Sequence, residues 1–191
     1  AEIRGIIELA LHHGIAMNPR LDDRVRTYKV RPAGNDGARR FETGTPSFES
    51  QAGVLGTISY LEWLGELADP SANSRRSRLV AAMTAATAYE VDLGDRLLAG
   101  FAAIPGLKLW GPPTMEARVP TFSFTLSGHA APAIAQHLAK RGIFAWAGYF
   151  YAVEVAARLG LADKGGLLRV GLCHYNTAEE VDRLIAALTE I

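Results

Sequence analysis

Arg169-Val170-Gly171-Leu172-Cys173-His174-Tyr175-Asn176-Thr177-Ala178-Glu179-Glu180-Val181-Asp182 is the stretch whose reading decides the fold. Its first part is apolar and reads as the end of a strand, Leu167–His174, with one arginine near its start. Thr177 and Glu180 form the Thr-x-x-Glu pattern of a capping box, in which side chain and backbone satisfy each other's free groups at a helix start. Val181, Leu184, Ile185 and Leu188 then recur at helical spacing and mark the buried face of a final helix. A guanidinium fixed on such a strand is a two-pronged receptor for a carboxylate. Cys173 falls inside the strand, where a buried, inert thiol is expected.

Working outward, the last third alternates strands with helices. Leu107–Trp110 and Val119–Leu126 read as strands, the second with Val119, Thr121, Ser123 and Thr125 on one face. Residues 130–141 read as a helix closed by Gly142, Ile143–Ala147 as a strand, and residues 151–160 as a helix. A long helix is predicted from about residue 75 to 104, with Leu79, Met83, Ala86, Leu93, Leu97 and Ile104 as its apolar stripe and Gly106 after its end. Upstream of the break at Pro70–Ser74, Thr45-Pro46 reads as an N-cap followed by proline at the first helical position. Phe48, Ala52, Leu55, Ile58 and Leu61 continue that helix on one face, and Gly53 and Gly56 read as sites of close helix packing. Thr27–Val30 reads as a brief strand and residues 1–11 as a short helix. Strands interleaved with helices make a layered α/β or α+β domain.

Composition narrows the function. Of 191 residues, 49% are hydrophobic and 21% charged, and 20 basic residues balance 20 acidic ones. No net field therefore points to nucleic acid or an anionic membrane. The short basic run Arg75-Arg76-Ser77-Arg78 reads as a solvated helix start. One cysteine excludes an internal disulfide framework. The histidine spacings do not fit a metal site, so none is expected. No apolar run reaches the length of a membrane span and no signal peptide is visible, so the expected compartment is the cytoplasm.

Three segments, in order, carry a resemblance. Arg40-Phe41-Glu42-Thr43-Gly44-Thr45-Pro46 resembles the Arg-Phe-Glu-x-Gly-Thr-Pro segment of cysteine desulfurases. Gly142-Ile143-Phe144-Ala145-Trp146-Ala147-Gly148-Tyr149-Phe150-Tyr151-Ala152 resembles the strand and loop that carry their persulfide-forming cysteine. The stretch from Arg169 to Asp182 resembles the closing strand and helix of class V aminotransferases. With Tyr28-Lys29-Val30-Arg31-Pro32, the likeness runs over roughly residues 24–191.

The resemblance implies the C-terminal portion of a pyridoxal-phosphate-dependent transferase of the aspartate aminotransferase type, fold type I, with a mixed sheet packed on helices. It implies the end of an incomplete large cofactor domain over 1–74, a connecting long helix over 75–106 and a small domain over 107–191. It implies an amino-acid substrate gripped by Arg169. Thr45 would touch the cofactor phosphate of the partner subunit in a homodimer, and Gly44 would allow the close backbone approach. Two departures matter. Trp146 stands where the family pattern has arginine, and Tyr151 where it has the cysteine, so desulfurase chemistry is not expected. Counting back from His12-His13-Gly14 puts Ile7 at the position of the cofactor-binding lysine, and Lys29, Lys108, Lys140 and Lys164 lack its flanks. No catalytic residue is therefore assigned and covalent cofactor binding by this chain alone is not expected. The alternatives are a non-catalytic subunit completing a partner's site, or a small-molecule-binding regulatory module. His174 and Asn176 are near the arginine by sequence only, and Asn176 is equally a turn residue.

Overall fold

A computed structural model describes residues 26–35, 40–41, 44–45 and 47–191. The expected helix over residues 1–11, His12, His13 and the Ile7 placement lie outside the described residues. The chain divides into two compact units, Ala1–Ala82 and Met83–Ile191, and the long helix contributes to both.

In the first unit, α1 spans Phe48–Ala68 and the opening turns of α2 (Arg75–Ala103) follow a break. The cap of α1 corrects the sequence reading. Ser47, not Thr45, is the N-cap, its hydroxyl accepting the Ser50 N–H at 3.4 Å. Thr45 lies exposed in a bend before it. Serine serves as well as threonine at a cap, so the helix starts at the later of two competent hydroxyls.

The packing face of α1 also differs. Phe48 and Leu55 are exposed, whereas Val54, Ile58, Leu61 and Leu64 are half-buried and Gly65 is buried. Gly53 and Gly56 face open space among the described residues. The close approach is at Gly65 instead, where a Cβ would lie 1.9 Å from the Arg78 carbonyl oxygen of α2. The Ser74 hydroxyl accepts the Ser77 N–H at 3.1 Å at the start of α2, and Arg75 pairs with Glu62 at 3.0 Å. Thr27–Val30 forms no strand. The chain turns back instead, and the Lys29 ammonium donates to the Ala33 and Gly34 carbonyls and to Asn35 Oδ1.

The second unit carries the sheet: β1 (Leu107–Leu109), β2 (Thr121–Leu126), α3 (Ala131–Ala139), β3 (Trp146–Gly148), α4 (Val153–Arg158), β4 (Leu167–Gly171) and α5 (Ala178–Thr189). Strand order is β1-β2-β4-β3. All three pairings are antiparallel rather than mixed. One face is core. Phe122, Phe124, Leu168 and Val170 point to it and meet Leu93, Leu97 and Phe101 of α2, Ile104 just beyond its end, Ile134 and Leu138 of α3, and Val181, Leu184 and Leu188 of α5. The Phe101 ring lies 4.7 Å from that of Phe124 and edge-on to Phe122 at 6.3 Å. Glycines set the helix contacts, since a Cβ on Gly100 would strike Ile185 at 2.2 Å and one on Gly94 would strike Met115 at 2.4 Å.

Several boundaries move. Met83 of the predicted stripe is exposed, and Ala82 and Phe101 are buried residues the stripe omitted. Ile185 is half-buried, and Ala187 completes the buried face of α5. Strand β2 begins at Thr121 because a turn at Pro120 ties Thr121 N–H to the Val119 carbonyl at 2.7 Å. Strand β4 ends at Gly171, because the Cys173 N–H is taken by Asn176 Oδ1 at 2.8 Å. Cys173 therefore sits half-buried in a loop rather than buried in the strand. The capping box is present as predicted, with Glu180 N–H on Thr177 Oγ1 and Thr177 N–H on the Glu180 carboxylate.

Candidate functional site

Arg169 lies in the central strand β4, between Ser123 of β2 and Trp146 of β3. Its neighbours Leu168 and Val170 are buried, so strand alternation puts the arginine on the open face of the sheet. Its guanidinium carbon stands 4.2 Å from the centre of the Phe150 ring. A cation over an aromatic face is held by the ring quadrupole, while its N–H donors remain free for oxygen. No described residue forms an ion pair with Arg169.

Phe150 reaches the arginine through an unusual turn. Ala152 N–H donates to the Tyr149 carbonyl at 2.7 Å, and the two residues between, Phe150 and Tyr151, have φ of 52° and 61°. Left-handed backbone is costly for residues with a Cβ. Here it is held on one side by the Tyr149 hydroxyl, which donates to the Ala162 carbonyl. The turn also explains why α4 begins at Val153 rather than at residue 151. The strand before it shrinks to Trp146–Gly148, since the β4 partners run only from Arg169 to Leu167. Gly166 and Gly148 touch there: a Cβ on Gly166 would lie 2.3 Å from the Gly148 carbonyl oxygen.

Beside the arginine is an open depression of about 570 Å³, lined by Thr121, Phe144, Ala145, Trp146, Arg169, Val170 and Gly171. It holds one cation, one hydroxyl and two aromatic rings, and neither a carboxylate nor a lysine. A second depression of about 640 Å³ includes Lys108, Trp110, Thr125, His129 and Lys164 in its lining. There Lys108 stacks on Trp110 at 3.7 Å, and the indole N–H donates to Thr125 Oγ1 at 3.0 Å.

The loop after β4 is tied down rather than poised. Asn176 closes it from both sides, accepting the Cys173 N–H and donating to the Glu180 carboxylate at 3.0 Å. Its carbonyl accepts the Tyr89 hydroxyl at 2.8 Å. His174 donates its backbone N–H to Glu90 Oε1 at 3.1 Å, and its ring lies 3.8 Å from the same oxygen. These contacts give Asn176 a turn role. Gly44 and Thr45 are both exposed. Among the described residues no cluster of three metal-ligating side chains forms, and no helix is long and apolar enough to cross a membrane.

The sequence singled out Arg169 and Trp146, which the fold pairs across β4 and β3, but not Phe150 and Phe144 beside them. The signal for Phe150 was the run Tyr149-Phe150-Tyr151 before a helix, where a tight turn must place one ring back over the sheet.

An antiparallel sheet packed on helices is shared with pyridoxal-phosphate-dependent enzymes of fold type I. An apo cysteine desulfurase from Thermococcus onnurineus shares the fold at a TM-score of 0.67 and 22% identity, over 81% of this chain and 34% of that one. A cysteine desulfurase from Escherichia coli does so at 0.57 and 26%, over 81% and 33%. The family description Aminotransferase class-V matches residues 23–184, and the chain belongs to that family. An uncharacterized protein of Mycobacterium tuberculosis is 39% identical over 81% of this chain and 37% of its own length. A probable cysteine desulfurase of Mycobacterium leprae is 31% identical over 78% and 31%. The chain thus spans about a third of the length of these relatives.

Proposed function

We propose that this chain is the substrate-binding C-terminal portion of a pyridoxal-phosphate-dependent class V enzyme acting on an amino acid, with Arg169 as the receptor for the substrate carboxylate. The observation that carries this reading is Arg169 itself: on the open face of the central strand, stacked on Phe150, with no acid paired to it among the described residues. A guanidinium in that state offers paired N–H donors that match a carboxylate.

The described residues do not by themselves fit the cofactor. Lys29 is engaged by the carbonyls of its own loop, Lys108 and Lys164 line the other depression, and no lysine lines the one beside Arg169. The chemistry assigned to this chain is therefore binding and orientation. A lysine from upstream sequence or from a partner chain would supply the covalent anchor, which favours a reading in which this chain completes a site it does not fully contain. Thr45 and Gly44 would serve the cofactor phosphate across a homodimer interface, in the cytoplasm. The proposed division is the end of a large domain over 1–74, a connecting helix over 75–106 and a small domain over 107–191.

Alanine titrated into ¹⁵N-labelled chain tests the carboxylate role. The Arg169 side-chain resonance is expected to shift with saturation in the native chain, and the accompanying shifts at Trp146 to vanish in Arg169→Lys. Identical titrations of the two proteins would refute it.

A further inference from the structure

The reading of Arg169 as a carboxylate receptor leaves the rest of its depression unexplained, and the walls say what the remainder of the ligand is. Trp146 is the direct cross-strand partner of Arg169 and is 70% exposed. Phe144, two residues earlier, is 90% exposed. Both line the same depression as the guanidinium, together with Thr121 and Gly171. Thr121 and Gly171 are opposed in the β2–β4 register, and a Cβ at Gly171 would meet its nearest atom only at 3.8 Å, so the floor there is open. Two large apolar side chains left in water beside one cation make a surface whose apolar part gains free energy from any hydrophobic group covering it.

Resting on that carboxylate reading, we infer that the site selects a carboxylate bearing a bulky apolar side chain, an aromatic or long aliphatic amino acid, with Trp146 and Phe144 as the specificity wall. Three observations converge. The lining holds no acid, so a cationic side chain finds no partner. It holds one hydroxyl, Thr121, so a strongly polar side chain gains little there over water and leaves the two rings uncovered. The volume, about 570 Å³, lies within the range of small-molecule sites and far exceeds what a methyl side chain fills. Ring against indole is the arrangement the quadrupoles favour, offset or edge-on.

Isothermal titration of the chain with propionate, 3-phenylpropionate and 3-phenylpropanol, in native protein and in Trp146→Ala, Trp146→Phe and Arg169→Lys, tests this. All substituted positions are exposed, so folding is not at risk; circular dichroism confirms it. The phenyl acid should bind about tenfold more tightly than propionate, as burial of part of a ring requires. Trp146→Ala should collapse that ratio toward one and Trp146→Phe should retain most of it. Arg169→Lys should weaken both acids, and the alcohol should bind more weakly than its acid. Equal affinity for the two acids, both Arg169-dependent, would overturn the apolar wall and leave the carboxylate receptor standing. Phenyl-acid binding indifferent to Arg169→Lys would reduce the site to hydrophobic adhesion and overturn the proposal. Binding of neither acid would overturn the wall and the receptor together.

Discussion

The Arg169 guanidinium stands 4.2 Å from the centre of the Phe150 ring, a contact spanning nineteen positions of sequence and made by a turn in which both central residues are left-handed. The ring confines a long side chain that the open face would otherwise leave free to sample many rotamers.

Phe150→Ala should therefore weaken carboxylate binding by about twofold to fivefold, the scale of an exposed cation–π contact. Phe150→Trp should restore it. Calorimetric titration with propionate reads both, and an unchanged affinity in Phe150→Ala would show that the ring does not orient the arginine.

Tyr151→Gly should stabilise the chain by about 1 kcal/mol. The tyrosine side chain is fully exposed, so little packing is lost, and a left-handed φ costs a non-glycine residue ~1–2 kcal/mol, part of which glycine returns as unfolded-state entropy. Urea denaturation measures it; a loss of stability would mean the side chain has a contact worth more than the strain.

Two glycines of α1 should respond oppositely. Gly65→Ala places a Cβ 1.9 Å from the Arg78 carbonyl oxygen and should cost about 2 kcal/mol or more. Gly56→Ala meets open space in a helix interior and should stabilise by about 0.5–1 kcal/mol. Paired thermal melts of the two variants check the contrast.

Acid should loosen α5. Arg96 donates two hydrogen bonds at 2.6 Å to the Asp182 carboxylate and holds its pKa below the usual aspartate value. The Asn176 amide and the Thr177 backbone N–H do the same for Glu180. A carboxyl depressed in the folded state adds stability that is present above its unfolded pKa and lost as the pH falls through its folded one. Melting temperature should thus drop below the ordinary carboxylate range, and drop less in Asp182→Asn. Thr177→Ala should cost about 1 kcal/mol near neutrality by removing the cap.

With cysteine and pyridoxal phosphate the chain should release no sulfide. Tyr151 has no thiol, and Cys173 is half-buried in a loop closed by Asn176. Sulfide formation that disappears in Cys173→Ser would contradict this.

Much of the architecture was legible because it is local. Alternation in Phe122, Phe124 and Leu126, the Thr177–Glu180 cap, and the spacing of Leu93, Leu97 and Ile104 each depend on residues within a few positions of one another. The failures are where two local solutions compete or where a distant partner decides. Thr45 and Ser47 are both good caps, and the sequence does not rank them. Glycines at 53, 56 and 65 look alike along the helix, and only the arrival of Arg78 distinguishes Gly65. The expected end of β4 overran by three residues because one side-chain oxygen, on Asn176, took a backbone donor the strand would have used.

By itself the sequence determined most elements from α1 onward, the family and the presence of a single arginine on an alternating strand, since hydrophobic period and capping chemistry are written residue by residue. Only the tertiary structure decided what surrounds that arginine. The antiparallel register set Trp146 against it, and the left-handed turn at Phe150 and Tyr151 folded a ring over it. Both depend on contacts between segments some twenty residues apart, whose closure is fixed by the packing of the whole sheet rather than by any local preference.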